Sequence, residues 1–165
     1  MKRVNIKYSV LIVLMVLFST VSNAQISKAE IIATGLTCSM CSNAINKQLK
    51  SMPEVNNVEI DLNSNTFTVS LADNNSLSPS IFKEKVEKAG FFIGSLIVTV
   101  DAETLKKNSF IVLDGKESNN KEVQIQVLDK GYVTDKEFKK LSKSYKNTIT
   151  YNSNNENDFH IKIVN

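Results

Sequence analysis

The chain has 165 residues, of which 42% are apolar and 22% charged, and its formal net charge is +3; that length suits one ordinary domain or two small ones. Three of its 20 basic residues fall in the first 24 positions, and beyond them 17 basic residues balance 17 acidic ones, so a polybasic nucleic-acid binder is excluded because no excess charge remains to neutralise phosphates. Two cysteines, one histidine and no tryptophan exclude a disulfide-rich scaffold and any four-ligand His/Cys zinc site built from this chain alone.

Lys2, Arg3 and Lys7 open the chain, Val10 to Phe18 is an unbroken apolar run, and Ser22-Asn23-Ala24 offers small residues to a signal peptidase. This is the layout of a secretory signal peptide over residues 1–24. Nine helical residues rise only about 14 Å against roughly 30 Å of hydrocarbon; the alternative reading is an uncleaved membrane anchor. The expected mature chain begins at Gln25, has no membrane span, and resides in the periplasm or another exported compartment. Such compartments are oxidising, so thiols kept there need a reason.

Residues 26–100 read as a first domain. Glu30 to Thr34 predicts a strand, which Gly35-Leu36-Thr37 breaks. Cys41 to Met52 predicts a helix, since Cys41, Ile45, Leu49 and Met52 keep one face, and Pro53 forbids its continuation. Val58, Ile60 and Leu62 alternate with polar residues, as do Phe67, Val69 and Leu71 beyond Asn63-Ser64-Asn65, which predicts a hairpin. Ser78 as N-cap and Pro79 at the first helical position start a second helix with Phe82, Val86 and Ala89 on one face and Gly90 just past its end. Phe91 to Val100 closes the domain as a strand. The order β-α-β-β-α-β is that of the ferredoxin-like split βαβ arrangement.

The run Gly35-Leu36-Thr37-Cys38-Ser39-Met40-Cys41, followed by an amphipathic helix, resembles the GMTCxxC loop of heavy-metal-associated domains. These are the modules of copper chaperones, copper-transporting ATPase N-termini and periplasmic mercury-binding proteins. The resemblance covers roughly 70 residues in element order, and Lys88-Ala89-Gly90-Phe91 is similar to the family's segment before the last strand. Leu36 replaces the motif's Met at little cost in volume, and Glu54 stands where the family's turn usually has Gly. The resemblance implies metal binding by Cys38 and Cys41. It also places Phe91 beside the loop, where a ring would shield the metal, and directs Met40 to solvent. Thr37 and Ser39 are expected to cap the loop.

Two Cys three apart at a strand-to-helix junction can point both sulfurs at one ion. The unpaired N–H groups and positive dipole end of the helix favour thiolate there. A soft two-sulfur site suits Cu(I), and also Hg(II) or another soft ion, whereas Zn(II) wants four ligands. An incoming ligand from a partner can add before one of the two sulfurs leaves, so transfer needs no free ion. The rival for a CxxC pair is thiol–disulfide chemistry, but Thr37 precedes the first Cys where an aromatic is usual in a thioredoxin-like protein, Ser39-Met40 lies between the two, and the element order is wrong for that fold.

Residues 101–165 read as a small β-rich second domain. Asp101 to Asn108 is a linker or short helix. Strands are expected at Ser109 to Leu113, Val123 to Val127, Thr148 to Tyr151 and Phe159 to Val164. A helix capped by Thr134 runs to Tyr145, with Phe138, Leu141 and Tyr145 on one face and Lys136, Lys139, Lys140 and Lys143 making a basic side. His160 shares a strand face with Lys162, opposite Phe159 and Ile161, and is expected to face solvent. A Glu84–Lys88 pair is expected on the second helix.

The fold class expected is therefore α+β, a ferredoxin-like βαββαβ domain followed by a small β-rich domain. The function expected is an exported, metallochaperone-like protein that binds one Cu(I) through Cys38 and Cys41 and exchanges it with a copper-transporting ATPase or another exported copper protein. The alternatives are a periplasmic mercury-binding protein feeding an importer, a thiol–disulfide protein, and a sensor module in which the metal only switches binding. Two copies sharing one ion through four sulfurs are left open. With no general base, catalytic triad or phosphate loop in the sequence, no enzyme activity is expected.

Overall fold

The computed structural model describes residues 26–73, 75–107, 110–116, 120–153 and 158–164; the leader read over residues 1–24 lies outside them. The first half contains β1 (Ile26–Thr34), α1 (Ser39–Lys50), β2 (Val55–Asp61), β3 (Thr66–Leu71), α2 (Pro79–Lys88) and β4 (Phe92–Asp101). The expected βαββαβ order is present, and its strands pair antiparallel in the order β2-β3-β1-β4. Central β1 sets the register, with Ile31 opposite Phe67 on one side and Leu96 on the other. Alternation then sends Ala29, Ile31 and Ala33 into the core, where Ile45 and Leu49 of α1 and Phe82 and Val86 of α2 meet them. Of these, each fully buried Ile, Leu, Phe or Val side chain contributes about 1.5–3 kcal/mol.

The helix ends are set locally. Ser78 accepts a hydrogen bond from the Ser80 amide, Pro79 follows it, and Gly90 takes φ +88° just beyond the last helical turn, as its lack of Cβ allows. The β2–β3 turn is held by Asp61, whose carboxylate accepts from the Asn63 amide and the Ser64 hydroxyl. Among the described residues Glu84 makes no ion pair, so the expected Glu84–Lys88 contact is absent; both side chains are exposed, where such pairs gain little.

The second half holds α3 (Ala102–Lys107), β5 (Phe110–Asp114), β6 (Glu122–Val127), α4 (Asp135–Ser144), α5 (Ile149–Asn152) and β7 (Phe159–Ile163). These strands do not build a sheet of their own. β6 pairs antiparallel with β4, Ile125 opposite Val98, and the whole becomes one seven-stranded sheet in the order β2-β3-β1-β4-β6-β7-β5. Val123, Ile125, Val127, Ile161 and Ile163 join the same core as the first half. The physical reason is edge pairing: without β6, the outer edge of β4 would present unpaired N–H and C=O groups.

Two expectations fail here. Thr148 to Tyr151 is the start of a short helix rather than a strand. The helical turn directs Tyr151 inward, where it is 1% exposed and packs with Leu128 and Val133, and its hydroxyl donates to the Leu128 carbonyl. His160 is 2% exposed rather than solvent-facing, because Thr150 and Tyr151 of α5 pack against its ring. Thr134 caps α4 by accepting from the Glu137 amide, as expected, and Phe138, Leu141 and Tyr145 pack on the smaller cluster. No helix among the described residues is long and apolar enough to cross a membrane.

Candidate metal centre

β1 ends at Thr34, Gly35 turns the chain at φ +84°, and α1 begins at Ser39, two residues before the start expected at Cys41. Cys38 is thus the N-cap residue and Cys41 lies in the first turn. The Cys38 carbonyl accepts from the Cys41 amide at 3.0 Å, which winds the loop tightly enough to bring the two side chains to one side. Their Sγ atoms lie 3.3 Å apart, both thiols are free, Cys38 is exposed and Cys41 half-exposed. A disulfide needs about 2.05 Å between sulfurs. An ion held in line between two thiolates at about 2.3 Å each would need about 4.6 Å. A pair on an exposed loop can open by that difference without disturbing the core.

The electrostatics favour the charged form of Cys41. A hydrogen bond from the Thr37 backbone is the largest cause pulling its thiol below the ordinary range; the Cys38 thiol adds to this, a small desolvation opposes it, and the Cys38 backbone and the Thr37 hydroxyl contribute least. Thr37 Oγ1 lies 4.0 Å from Cys41 Sγ. Thr37 therefore acts on the sulfur rather than capping the helix, and Ser39 is the first helical residue. The signal for this was the four-residue spacing of Thr37 and Cys41, which puts both at one turn of the same junction.

Leu36 packs on the main core beneath the loop, as the volume argument requires. Phe91 also packs there, and its Cδ1 lies 3.9 Å from where a Cβ on Gly35 would stand, so the ring does flank the loop's first residue. Met40 is 80% exposed and points to solvent. His160 is engaged elsewhere: Nδ1 bonds Asp129 Oδ1 at 2.8 Å, Nε2 bonds Thr150 Oγ1 at 3.0 Å, and its backbone amide donates to Asp129 Oδ2. Both ring nitrogens are taken, so His160 offers no ligand. Among the described residues no three His, Cys, Asp or Glu side chains gather in a way that could hold a metal ion, which leaves the cysteine pair as a two-sulfur site.

The family model for the heavy-metal-associated domain matches residues 30–92. No curated protein matches the chain. Among solved structures, the yeast copper transporter domain CCC2A, determined in apo and Cu(I)-loaded states, is similar at 33% identity over 39% of this chain and 86% of its own, with a TM-score of 0.35. The N-terminal domain of a potential copper-translocating P-type ATPase from Bacillus subtilis is similar at 34% identity over 41% of this chain and 82% of its own, TM-score 0.36. A copper-binding domain from HMA7, a P-type ATPase, is similar at 33% identity over 39% and 85%, TM-score 0.36. The assignment rests on the family match. Through residues 30–92, the chain belongs to the heavy-metal-associated domain family.

Proposed function

We propose that this protein is an exported carrier of one soft metal ion, Cu(I), bound by the thiolates of Cys38 and Cys41 and passed on by ligand exchange. The observation that carries the reading is the pair of free sulfurs 3.3 Å apart at a helix N-terminus, open to solvent, in a metal-binding domain. The unpaired amides there stabilise negative sulfur, and two soft donors suit a monovalent ion that accepts low coordination. Exposure of the site is what transfer needs. A partner sulfur can add as a third ligand, after which one of Cys38 or Cys41 departs. The partner in this reading is a copper-transporting ATPase or another exported copper protein, and the chain's task is carriage rather than catalysis.

The export half of the proposal rests on the basic start, apolar run and small-residue site within residues 1–24. The same donors serve Hg(II), so preference has to be measured. Anaerobic titration against competing chelators is expected to give one tight Cu(I) per chain, with weak Zn(II). Tighter retention of Hg(II) than of Cu(I) in exchange against thiol buffers would assign the mercury reading instead. The close sulfur approach also favours a dithiol–disulfide role; catalysis of insulin reduction above the rate of free thiol would support it.

A further inference from the structure

Residues 129–134 turn back along the start of β4. Val133 bridges to Ser95, and Gly131 at φ +88° lies so close to α2 that a Cβ there would approach Lys83 Cε to 2.8 Å. Between this stretch and α2 runs a groove of about 770 Å³, with Ile93, Tyr132 and Phe159 among the residues that line it. Phe92, which also lines it, is 68% exposed, a large apolar surface left in solvent. Thr34 is part of the same wall. It precedes Cys38 by four residues, which reach no further than about 14 Å. The groove therefore opens beside the base of the metal loop.

Its charge is acidic on balance. Glu84, Glu87 and Asp135 line it with exposed carboxylates, and among the described residues none of the three makes an ion pair. The Lys83 ammonium stands 5.6 Å from the Tyr132 ring centroid, where the ring face attracts it, and the Asp129 carboxylate is taken by His160. Asp158 also lines the groove and has an interaction of its own, so what remains is three carboxylates against two lysines, Lys83 and Lys130, around an apolar floor.

We propose that this groove receives a basic segment of the partner that exchanges metal with Cys38 and Cys41, seated by one aromatic or aliphatic side chain against Phe92 and Tyr132, with lysine or arginine side chains over Glu84, Glu87 and Asp135. The identity of the partner rests on the carrier function above; the docking itself needs no metal. The heavy-metal-associated domain supplies the sulfurs and α2, and the chain's second half supplies the other wall. Complementary charge here sets which partner arrives and how fast more than how tightly the metal is held.

The test is an NMR titration of the metal-free chain at low ionic strength with two sulfur-free peptides, acetyl-Lys-Lys-Phe-Ile-Lys-Lys-amide and its counterpart with Glu for every Lys. The lysine peptide should bind at least about tenfold more tightly, in keeping with electrostatic selection, and should shift the amides of Phe92, Gly131 and Tyr132. Glu84→Lys with Glu87→Lys should erase the preference, and Phe92→Ser should weaken the lysine peptide without changing its sign of selectivity. Both variants should still load Cu(I). Equal affinity for the two peptides, shifts confined to other surfaces, or unaltered affinity in both variants would overturn the proposal. So would concentration-dependent shifts of the same amides without peptide, which would give the groove to the basic α4 face of a second copy. Loss of copper loading in the unaltered chain, with docking intact, would instead strike the carrier reading alone.

Discussion

Cys38 and Cys41 stand at the rim of the first half with both sulfurs reachable from solvent. His160, in the second half, is 2% exposed, with Asp129 on one ring nitrogen, Thr150 on the other and the Tyr151 ring edge-on at 5.1 Å. Both regions hold residue types that bind metals, yet only one holds them available. In the first, the Thr37 backbone favours the charged form of Cys41, and both sulfurs leave room for an incoming ligand. In the second, every polar atom of the side chain is satisfied within the fold, which ties β7, α5 and the segment after β6 together. The contrast teaches that availability, more than residue identity, marks the site: a buried and satisfied group anchors, an exposed and charge-stabilised one reacts.

Four variants or measurements break or sharpen that contrast. The largest effect is expected from Ile125→Ala. Ile125 is fully buried where β6 meets β4, and such a truncation costs about 2–5 kcal/mol. Urea unfolding should stay a single transition shifted as a whole, since both halves share one sheet and core; two separate transitions would contradict the continuous sheet. Next is His160→Ala, which strips Asp129 of its ring partner and leaves a desolvated carboxylate. The expected loss is about 1–3 kcal/mol, read by chemical denaturation, with Cu(I) stoichiometry unchanged. Copper loading that fell with His160 would break the division between anchoring and reacting groups.

Tyr151→Phe removes only the hydroxyl that donates to the Leu128 carbonyl at 2.7 Å. It should cost about 1 kcal/mol, since the ring remains and one buried acceptor loses its donor. A cost near zero would mean water replaces the hydroxyl. The smallest effect concerns Cys41. Its thiol titrates below an ordinary cysteine, through the Thr37 backbone first and then Cys38. The thiolate therefore persists to lower pH in the folded chain than in the unfolded one, and proton competition for metal sets in correspondingly lower. Alkylation mapped by mass spectrometry should show a lower pH midpoint for Cys41 in the native chain than in denaturant, moving upward in Cys38→Ser. A native midpoint at or above the denatured one would refute this cause.

The first half was legible because its determinants are local. Ser78-Pro79 and Gly90 bracket α2, Pro53 limits α1, and period-two alternation marks β2 and β3. The Cys38–Cys41 spacing at a strand-to-helix junction singled out the candidate pair, and the structure brings the two sulfurs to 3.3 Å. The second half was less legible because its organisation is long-range. Nothing near Val123 or Ile125 says that their strand will extend β4 rather than begin a new sheet. His160 looked solvent-facing because alternation with Lys162 identifies a face but not what covers it; its cover comes from Thr150 and Tyr151, and its hydrogen-bond partner Asp129 is 31 residues away. Thr148 to Tyr151 is β-branched and aromatic, a strand-like composition, yet burial of Tyr151 against Leu128 and Val133 decides for a helical turn. Thr134 shows the limit from the other side: its cap is local and was readable, while the cluster that α4 packs on was not.

The central claim is most directly tested by Cu(I) stoichiometry under anaerobic competition with a chromophoric chelator, on the unaltered chain and on Cys38→Ser with Cys41→Ser. One ion per chain in the former, none in the latter, and matching amide spectra for both are predicted. A double variant that still takes up its full equivalent, or an unaltered reduced chain that takes up none, would contradict it.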